Sequence, residues 1–152
     1  ELHKIAYQKV YFTRVVPTKA VSLFQTPNVL NPGDQVIAMS GIGNPKAFVA
    51  GVRKLYDVKA KLNFSDHHVY SVSDIERIVG LLEKYPQAML LTTEKDAVKL
   101  RRAKKLPEAL RRAMYYQPVE MQLIDGPDHD FVGKLIDEIE SKGMSERPND
   151  EN

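Results

Sequence analysis

The chain has 152 residues, 43% of them hydrophobic, which is enough for one sizeable buried core. Its 22 lysines and arginines nearly balance 20 aspartates and glutamates, and the net charge of +2 provides no global field for nucleic acid or a membrane. The absence of cysteine excludes disulfides, zinc–thiolate sites and thiol nucleophiles. No apolar run reaches the roughly 18 residues that a membrane span needs. We expect a soluble globular protein and, since the chain opens at Glu1 without Met, a piece of a longer one.

The N-terminal region predicts a two-stranded β-ribbon. Residues 10–16 and 20–24 are rich in β-branched and aromatic side chains, and residues 17–19 between them form a plausible turn. An isolated hairpin is only marginally stable in water, so the ribbon should pair with, or connect to, another part of the protein. We therefore assign residues 1–34 to a β linker and a loop.

Three strand–loop–helix units follow one another along the chain. Apolar or alternating segments predict the strands, and apolar residues at helical spacing predict the helices. The strands are expected at residues 35–39, 58–64 and 88–91. Such units in series imply right-handed crossovers and a mainly parallel sheet covered on both faces. The prediction is a three-layer αβα, Rossmann-like domain over residues 35–141, preceded by the ribbon.

Helix starts are predicted from capping residues. Pro45 suits the first turn of the first helix, and Ser73 with Glu76 forms a capping-box pattern for the second. The third helix is expected from about Asp96, and a short one follows from Pro107.

Towards the C-terminus, two further strands and a last helix are expected. The strands cover residues 114–118 and 121–124, with Pro118 indicating an edge or a break. Asp128 can cap the last helix, and the polar residues 142–152 predict a flexible tail.

Ligands of parallel sheets meet the loops at the carboxyl ends of strands, and three polar loops are predicted there. The first contains Gly41, Gly43 and Asn44, which allow the backbone to approach a ligand and direct helix N–H groups at an anion. It lacks the Gly-Lys-Ser/Thr of a Walker A loop and the third glycine of a dinucleotide fingerprint. A tight structural turn is the alternative interpretation.

The second loop holds the most reactive side chains of the chain, Asp66, His67 and His68. Asp66 could orient the imidazole of His67 and keep it basic, as a proton acceptor at neutral pH requires. Alternatively, Asp66 is a turn or cap residue and the histidines are partly exposed polar groups. Tyr70 is assigned to packing.

The third loop combines hydroxyls and both signs of charge in Thr92, Thr93, Glu94, Lys95 and Asp96. Its position after a buried strand favours a binding role. The alternative is a capped helix start, because threonine and aspartate are good N-caps and acidic residues suit the first turn.

Two other clusters have simpler explanations. A basic stretch, either a solvated face or a patch for anionic lipid headgroups or a phosphorylated substrate, comprises Lys99, Arg101, Arg102, Lys104, Lys105, Arg111 and Arg112. Residues 128–130 (Asp-His-Asp) resemble metal ligands, although an acidic helix start explains them, and no metal site is predicted in this chain.

Three motifs and one acid, in this order, are similar to the C-terminal part of the tetraacyldisaccharide 4'-kinase (lipid A 4'-kinase) family. The resemblance covers roughly residues 35–124. Its elements are AMSGIGNPKAF (38–48), FSDHHVY (64–70), Asp74 and LTTEKDAVKL (91–100). The preceding ribbon resembles the two-stranded linker between that family's two domains.

The resemblance implies transfer of the ATP γ-phosphate to the 4'-hydroxyl of tetraacyldisaccharide 1-phosphate, a lipid A precursor, at the cytoplasmic face of the bacterial inner membrane. ATP and Mg²⁺ would be bound mainly by an N-terminal P-loop domain that is missing here, so the chain alone should be inactive. Asp66 and His67 match the family's Asp-His pair, whose histidine assists an N-terminal aspartate in deprotonating the acceptor. The loops containing Gly41 and Thr92 would line the same cleft, and so would His68, chiefly as structural support for the pair. No nucleic-acid partner is expected.

Two other classes of function remain open at this point. A DHH-type metal-dependent phosphoesterase would use Asp66, His67 and His68 as ligands, but it needs further carboxylates, typically in an upstream Asp-x-Asp motif, and the upstream aspartates are only Asp34 and Asp57. The chain could also be a non-catalytic α/β module that binds a nucleotide or a partner through its glycine loop.

Overall fold

The computed structural model describes residues 11–103, 106–124 and 131–143. The strands in these ranges are β1 (Thr13–Pro17), β2 (Val21–Ser22), β3 (Gln35–Ser40), β4 (Asp57–Asn63), β5 (Met89–Thr93), β6 (Met114–Gln117) and β7 (Val119–Leu123). The helices are α1 (Pro45–Val52), α2 (Val72–Lys84), α3 (Glu94–Arg101), α4 (Glu108–Arg112) and α5 (Phe131–Gly143). The chain divides into two compact units, Val15–Glu120 and the combination of Glu1–Arg14 with Met121–Asn152.

The larger unit is built on a five-stranded sheet with the order β2-β6-β5-β3-β4. Strand β3 runs parallel to β4 and β5, and β5 runs parallel to β6. Strand β2 pairs antiparallel with β6 at the edge. The predicted α/β fold with a mainly parallel sheet is therefore confirmed.

Both faces of this sheet are covered. One core contains Ile37, Met39 and Leu90 from the strands, packed with apolar residues of α2, α3 and α4. The other contains Val36 and Leu91, packed with residues of α1. Because β3 and β5 are buried on both sides, they are continuous apolar runs rather than alternating ones.

The predicted hairpin between residues 10–16 and 20–24 is wrong in its pairing. A two-stranded ribbon exists, but β1 pairs with β7. Its ends are marked by two backbone hydrogen bonds, from Thr18 N–H to the Pro118 carbonyl and from Ile124 N–H to the Phe12 carbonyl, so the strands are antiparallel. Strand β2 instead covers the edge of β6, since neighbouring Ala20 and Leu23 are buried in the core.

Two helix starts also differ from the predictions. Helix α2 is capped by Ser71 and Asp74, not by Ser73 and Glu76. Both pairs have the capping spacing, but Asp74 is additionally held by His68, a contact that the pattern does not show.

Helix α3 begins at Glu94 rather than near Asp96, because the Thr93 side chain accepts the Asp96 N–H as its N-cap. Helix α4 begins directly after Pro107, and Pro118 separates β6 from β7, both as predicted. The proposed cap Asp128 and residues 144–152 of the predicted tail lie outside the described residues.

Candidate active site

Three loops lie side by side at one edge of the sheet. They follow β3, β4 and β5, which are neighbouring parallel strands in the order β4-β3-β5. Parallel strands bring their carboxyl ends to the same edge, so the loops converge although they are far apart in sequence. The structure thus brings the three predicted polar loops together.

Asp96 is a buried residue of the third loop that hydrogen-bonds to the first loop. The side chain is 0% exposed, and its Oδ2 accepts hydrogen bonds from the Gly41 N–H (2.8 Å) and the Thr93 hydroxyl (2.7 Å). The Lys99 ammonium lies 3.2 Å from Oδ1. Burial raises the pKa of Asp96, but the hydrogen bonds from Gly41, Thr93 and Lys99 outweigh it and the pKa is lowered. Asp96 is therefore a buried, ionised anchor.

The lack of a side chain at Gly41 suits this close approach. A Cβ at this position would lie 3.0 Å from Oδ1 of Asp96 and 3.3 Å from the Ser65 carbonyl oxygen. The hydroxyl of Tyr70 would be 3.4 Å away. Burial, and then the negative charge of Asp96, raise the pKa of Tyr70, so its side chain stays a neutral phenol.

The Asp66 carboxylate connects the second loop to the third. Its Oδ1 accepts hydrogen bonds from Lys95 Nζ (2.6 Å) and from the His67 backbone N–H (2.9 Å). Its Oδ2 lies 3.8 Å from Nε2 of His67, an ion-pair distance rather than a hydrogen bond. The hydrogen bond from Lys95 is the main reason that the pKa of Asp66 is lowered. Asp66 is ionised and faces the imidazole.

His67 projects into solvent. Its side chain is 83% exposed, and its backbone has the left-handed φ of 60°. A residue other than glycine adopts this conformation at a cost of about 1 kcal/mol, so the surrounding turn must hold it. The Asp66 side chain does so through the His67 N–H.

His68 is more buried than His67 and packs into the fold. Its ring stacks on Phe64 with the centroids 4.6 Å apart, and its Nε2 lies 2.9 Å from Oδ2 of Asp74. Hydrogen bonds to Asp74 from the Ser71 backbone and hydroxyl and from His68 lower the Asp74 pKa to about 2. Asp66, His67 and His68 therefore do not converge on one point, as a common metal site would require.

The remaining predicted site residues differ in how far they are exposed to solvent. Gly43 is exposed, and Asn44 caps α1 by accepting the Ala47 N–H (3.2 Å). Thr92 is buried, whereas Glu94 and Lys95 are exposed in the first turn of α3. In the described ranges, no group of three or more histidine, aspartate or glutamate side chains is arranged to hold a metal ion.

A groove of about 940 Å³ opens beside these loops. Its polar lining includes Asn44, Thr93 and Lys95. Most of its wall is apolar and includes Ile42, Phe48 and Leu55.

Most of the described charges of the basic stretch contact an aromatic ring or an acidic side chain. Arg101 lies over the ring of Tyr116, Arg111 over that of Phe24, and Arg112 pairs with Glu108. Lys104, Lys105 and the Asp-His-Asp cluster at 128–130 lie outside the described residues. Lys99, predicted only as part of this stretch, pairs with Asp96. The i,i+3 spacing of these two on α3 was the available signal.

Comparison with known proteins identifies the family. The family model for tetraacyldisaccharide-1-P 4'-kinase matches residues 2–139. The chain belongs to this family. The resemblance inferred from the three motifs is thereby confirmed.

Members of the 4'-kinase family in several bacteria are similar to this chain. The tetraacyldisaccharide 4'-kinase of Phocaeicola vulgatus is 27% identical over 140 residues, covering 88% of this chain and 38% of the relative. That of Porphyromonas gingivalis is 27% identical over 142 residues, covering 90% and 40%. The chain thus spans about two fifths of the length of these relatives.

The fold is also that of a solved member of the 4'-kinase family. LpxK from Aquifex aeolicus, in a crystal structure described as an "apo" form in complex with ATP, superimposes with a TM-score of 0.57. The match covers 91% of this chain and 38% of LpxK at 20% sequence identity. Among the described helices, none is long and apolar enough to cross a membrane.

Proposed function

We propose that this chain is the C-terminal α/β domain, with its linker, of a lipid A 4'-kinase. The full protein would transfer the γ-phosphate of ATP to the 4'-hydroxyl of tetraacyldisaccharide 1-phosphate at the cytoplasmic face of the inner membrane. The observation that carries the proposal is the exposed Asp66–His67 pair at the carboxyl edge of the sheet, in a chain whose family match covers 2–139.

The proposed chemistry divides between two domains. Phosphoryl transfer depends mainly on positioning and on stabilising charge, so a base supplied by one domain can serve a nucleotide held by another. The sequence contains no Gly-Lys-Ser/Thr loop. We therefore assign the phosphates of ATP and Mg²⁺ chiefly to an N-terminal P-loop domain of the same protein. Mg²⁺ would stabilise the developing negative charge on the phosphoryl group.

Within this chain, we assign the acceptor side of the reaction to Asp66 and His67. The exposed imidazole of His67 can accept a proton from the acceptor hydroxyl, either directly or by assisting an aspartate of the other domain. Ionised Asp66 stabilises the imidazolium that forms. His68 supports the loop from below, and the residues lining the cleft would be Gly41, Gly43, Asn44, Thr92, Thr93, Glu94, Lys95 and Asp96.

The acyl chains of the substrate require a protein that works at a membrane surface. We propose peripheral association, to which exposed basic residues such as Arg102 contribute by attracting anionic headgroups. Vesicle co-sedimentation of the full protein should then depend on anionic lipid and weaken with salt. Binding to neutral vesicles with equal strength would contradict this contribution.

The test of the function uses the full-length protein and the His67→Ala variant. We expect kcat for phosphorylation of tetraacyldisaccharide 1-phosphate to fall by about 100-fold or more, the usual contribution of a general base. The thermal unfolding midpoint should not change, since the side chain is solvent-exposed. Val69→Ala, an exposed residue of the same loop, is the control. Undiminished turnover of His67→Ala would remove His67 from the mechanism.

A further inference from the structure

Among the described hydrogen bonds to the Asp66 carboxylate, the one from Lys95 comes from a residue outside the second loop. We propose that Lys95 is a positioning residue for the proposed reaction, acting through Asp66 on His67 rather than by binding substrate. The inference rests on the proposed function and adds to it a residue that controls the orientation of the base.

The backbone of Lys95 lies between two residues that make hydrogen bonds in the fold. Thr93, two residues before it, caps α3, and its neighbour Asp96 is fully buried and accepts a hydrogen bond from the Gly41 N–H. The first turn of α3, which contains Lys95, is therefore connected to the end of β5 through Thr93 and to the loop after β3 through Gly41. From this position the Lys95 ammonium reaches the Asp66 carboxylate of the second loop at 2.6 Å.

Lys95 determines which oxygen of Asp66 remains available. Oδ1 is engaged by the Lys95 ammonium and by the His67 N–H. Oδ2 is left facing Nε2 of His67 at 3.8 Å. Gly43 lies beside Oδ2, since a Cβ added to Gly43 would be 4.0 Å from this oxygen. Without Lys95, the 42% exposed carboxylate could rotate between its rotamers and share both oxygens with water.

The Lys95–Asp66 ion pair is expected to add little to the free energy of folding. The side chains are 45% and 42% exposed, and ion pairs at such positions contribute little to folding because solvent and salt screen them. The backbone of His67, however, is in a left-handed conformation that the Asp66 side chain supports. A restraint on Asp66 therefore also restrains the imidazole.

The experiment compares Lys95→Met and Lys95→Arg in the full-length kinase. We expect Lys95→Met to lower kcat about tenfold, since small misplacements of a reacting group are costly, with the KM values for ATP and lipid changed less than twofold. Lys95→Arg should recover most of kcat because it keeps the charge and the hydrogen bond. Lys61→Met, which removes a charge from an exposed position of β4, is the matched control.

A double-mutant cycle tests the route through Asp66. If Lys95 acts only through that carboxylate, Lys95→Met should cause no further loss of kcat in an Asp66→Asn background. Additive losses would overturn the proposal. An increased KM for ATP with kcat retained would also overturn it and make Lys95 a nucleotide contact. Unchanged kcat in Lys95→Met would exclude any positioning role, whereas failure of the wild-type protein to phosphorylate the disaccharide would refute the proposed function itself.

Discussion

At the scale of single residues, the site depends on one buried carboxylate and one exposed one. Asp96 is buried among hydrogen-bond donors and holds two loops together, whereas Asp66 is at the surface beside His67. The same type of side chain thus has a structural role at position 96 and a proposed chemical role at position 66. The difference is set by burial and partners, which the amino-acid type does not indicate.

Asp96→Ala should strongly destabilise the protein. It removes the acceptor for the Gly41 N–H and the Thr93 hydroxyl and leaves the half-buried Lys99 ammonium without its carboxylate. We expect the free energy of unfolding to fall by about 3 kcal/mol, as measured by urea denaturation.

Asp57→Asn is the control for this experiment, because Asp57 is an exposed carboxylate paired only with Lys59 among the described ion pairs. Its effect should stay within about 0.5 kcal/mol. Equal losses in the two variants would contradict the anchoring role of Asp96. Asp96→Asn should lose less than Asp96→Ala, because the amide oxygen still accepts one of the hydrogen bonds.

At the scale of elements, helix starts are decided by contacts beyond the local pattern. Ser71 and Ser73 both precede an acid by three residues, and either could begin α2. The selected acid, Asp74, also holds His68, whose ring stacks on Phe64. The helix start and the loop bearing His67 therefore share one carboxylate.

Asp74→Asn should lower the free energy of unfolding by about 1 kcal/mol near neutral pH, as loss of a capping interaction does. The pKa of Asp74 is lowered from 3.8 to about 2 in the folded protein. Its stabilising contribution is therefore complete above about pH 4 and is lost as the pH falls towards 2. Unfolding curves should show the difference between wild type and variant narrowing over that range.

Glu76→Gln provides the comparison for α2, because Glu76 has the same charge two residues after Asp74 but does not cap the helix. Its difference from wild type should be small at every pH. A constant deficit for Asp74→Asn from pH 7 down to pH 2 would show that charge on Asp74 is not the source of the stabilisation.

At the scale of the whole molecule, the sheet brings the site together and the proposed function extends beyond this chain. The converging loops bring Asp66, His67 and Lys95 together, but the sequence lacks a phosphate-binding Gly-Lys-Ser/Thr loop. The chain also matches only 38% to 40% of two of its relatives.

The chain alone, supplied with ATP, Mg²⁺ and tetraacyldisaccharide 1-phosphate, should form no detectable 4'-phosphorylated product, while the full-length protein should. The assay follows radiolabelled phosphate from ATP into lipid. The same chain carrying His67→Ala controls for a contaminating kinase. Product formed by the wild-type chain but not by this variant would show that the chain binds ATP productively by itself.

The sequence by itself determined the fold class, the family and the position of the candidate site. Apolar runs of parallel strands, helical spacing and turn residues are local signals, so β3, β4 and β5 and the loops after them could be found from short segments. The Asp66–His67 pair was found for the same reason, since its two members are adjacent.

Only the tertiary structure decided which distant groups meet. Strand β1 pairs with β7, about 100 positions away, rather than with its neighbour in sequence. Lys95 holds Asp66 across 29 positions, and Asp96 holds Gly41 across 55. These contacts arise from the order of strands in the sheet. That order results from packing both faces of the sheet at once, and it leaves no periodic pattern in the sequences of the segments that are brought together.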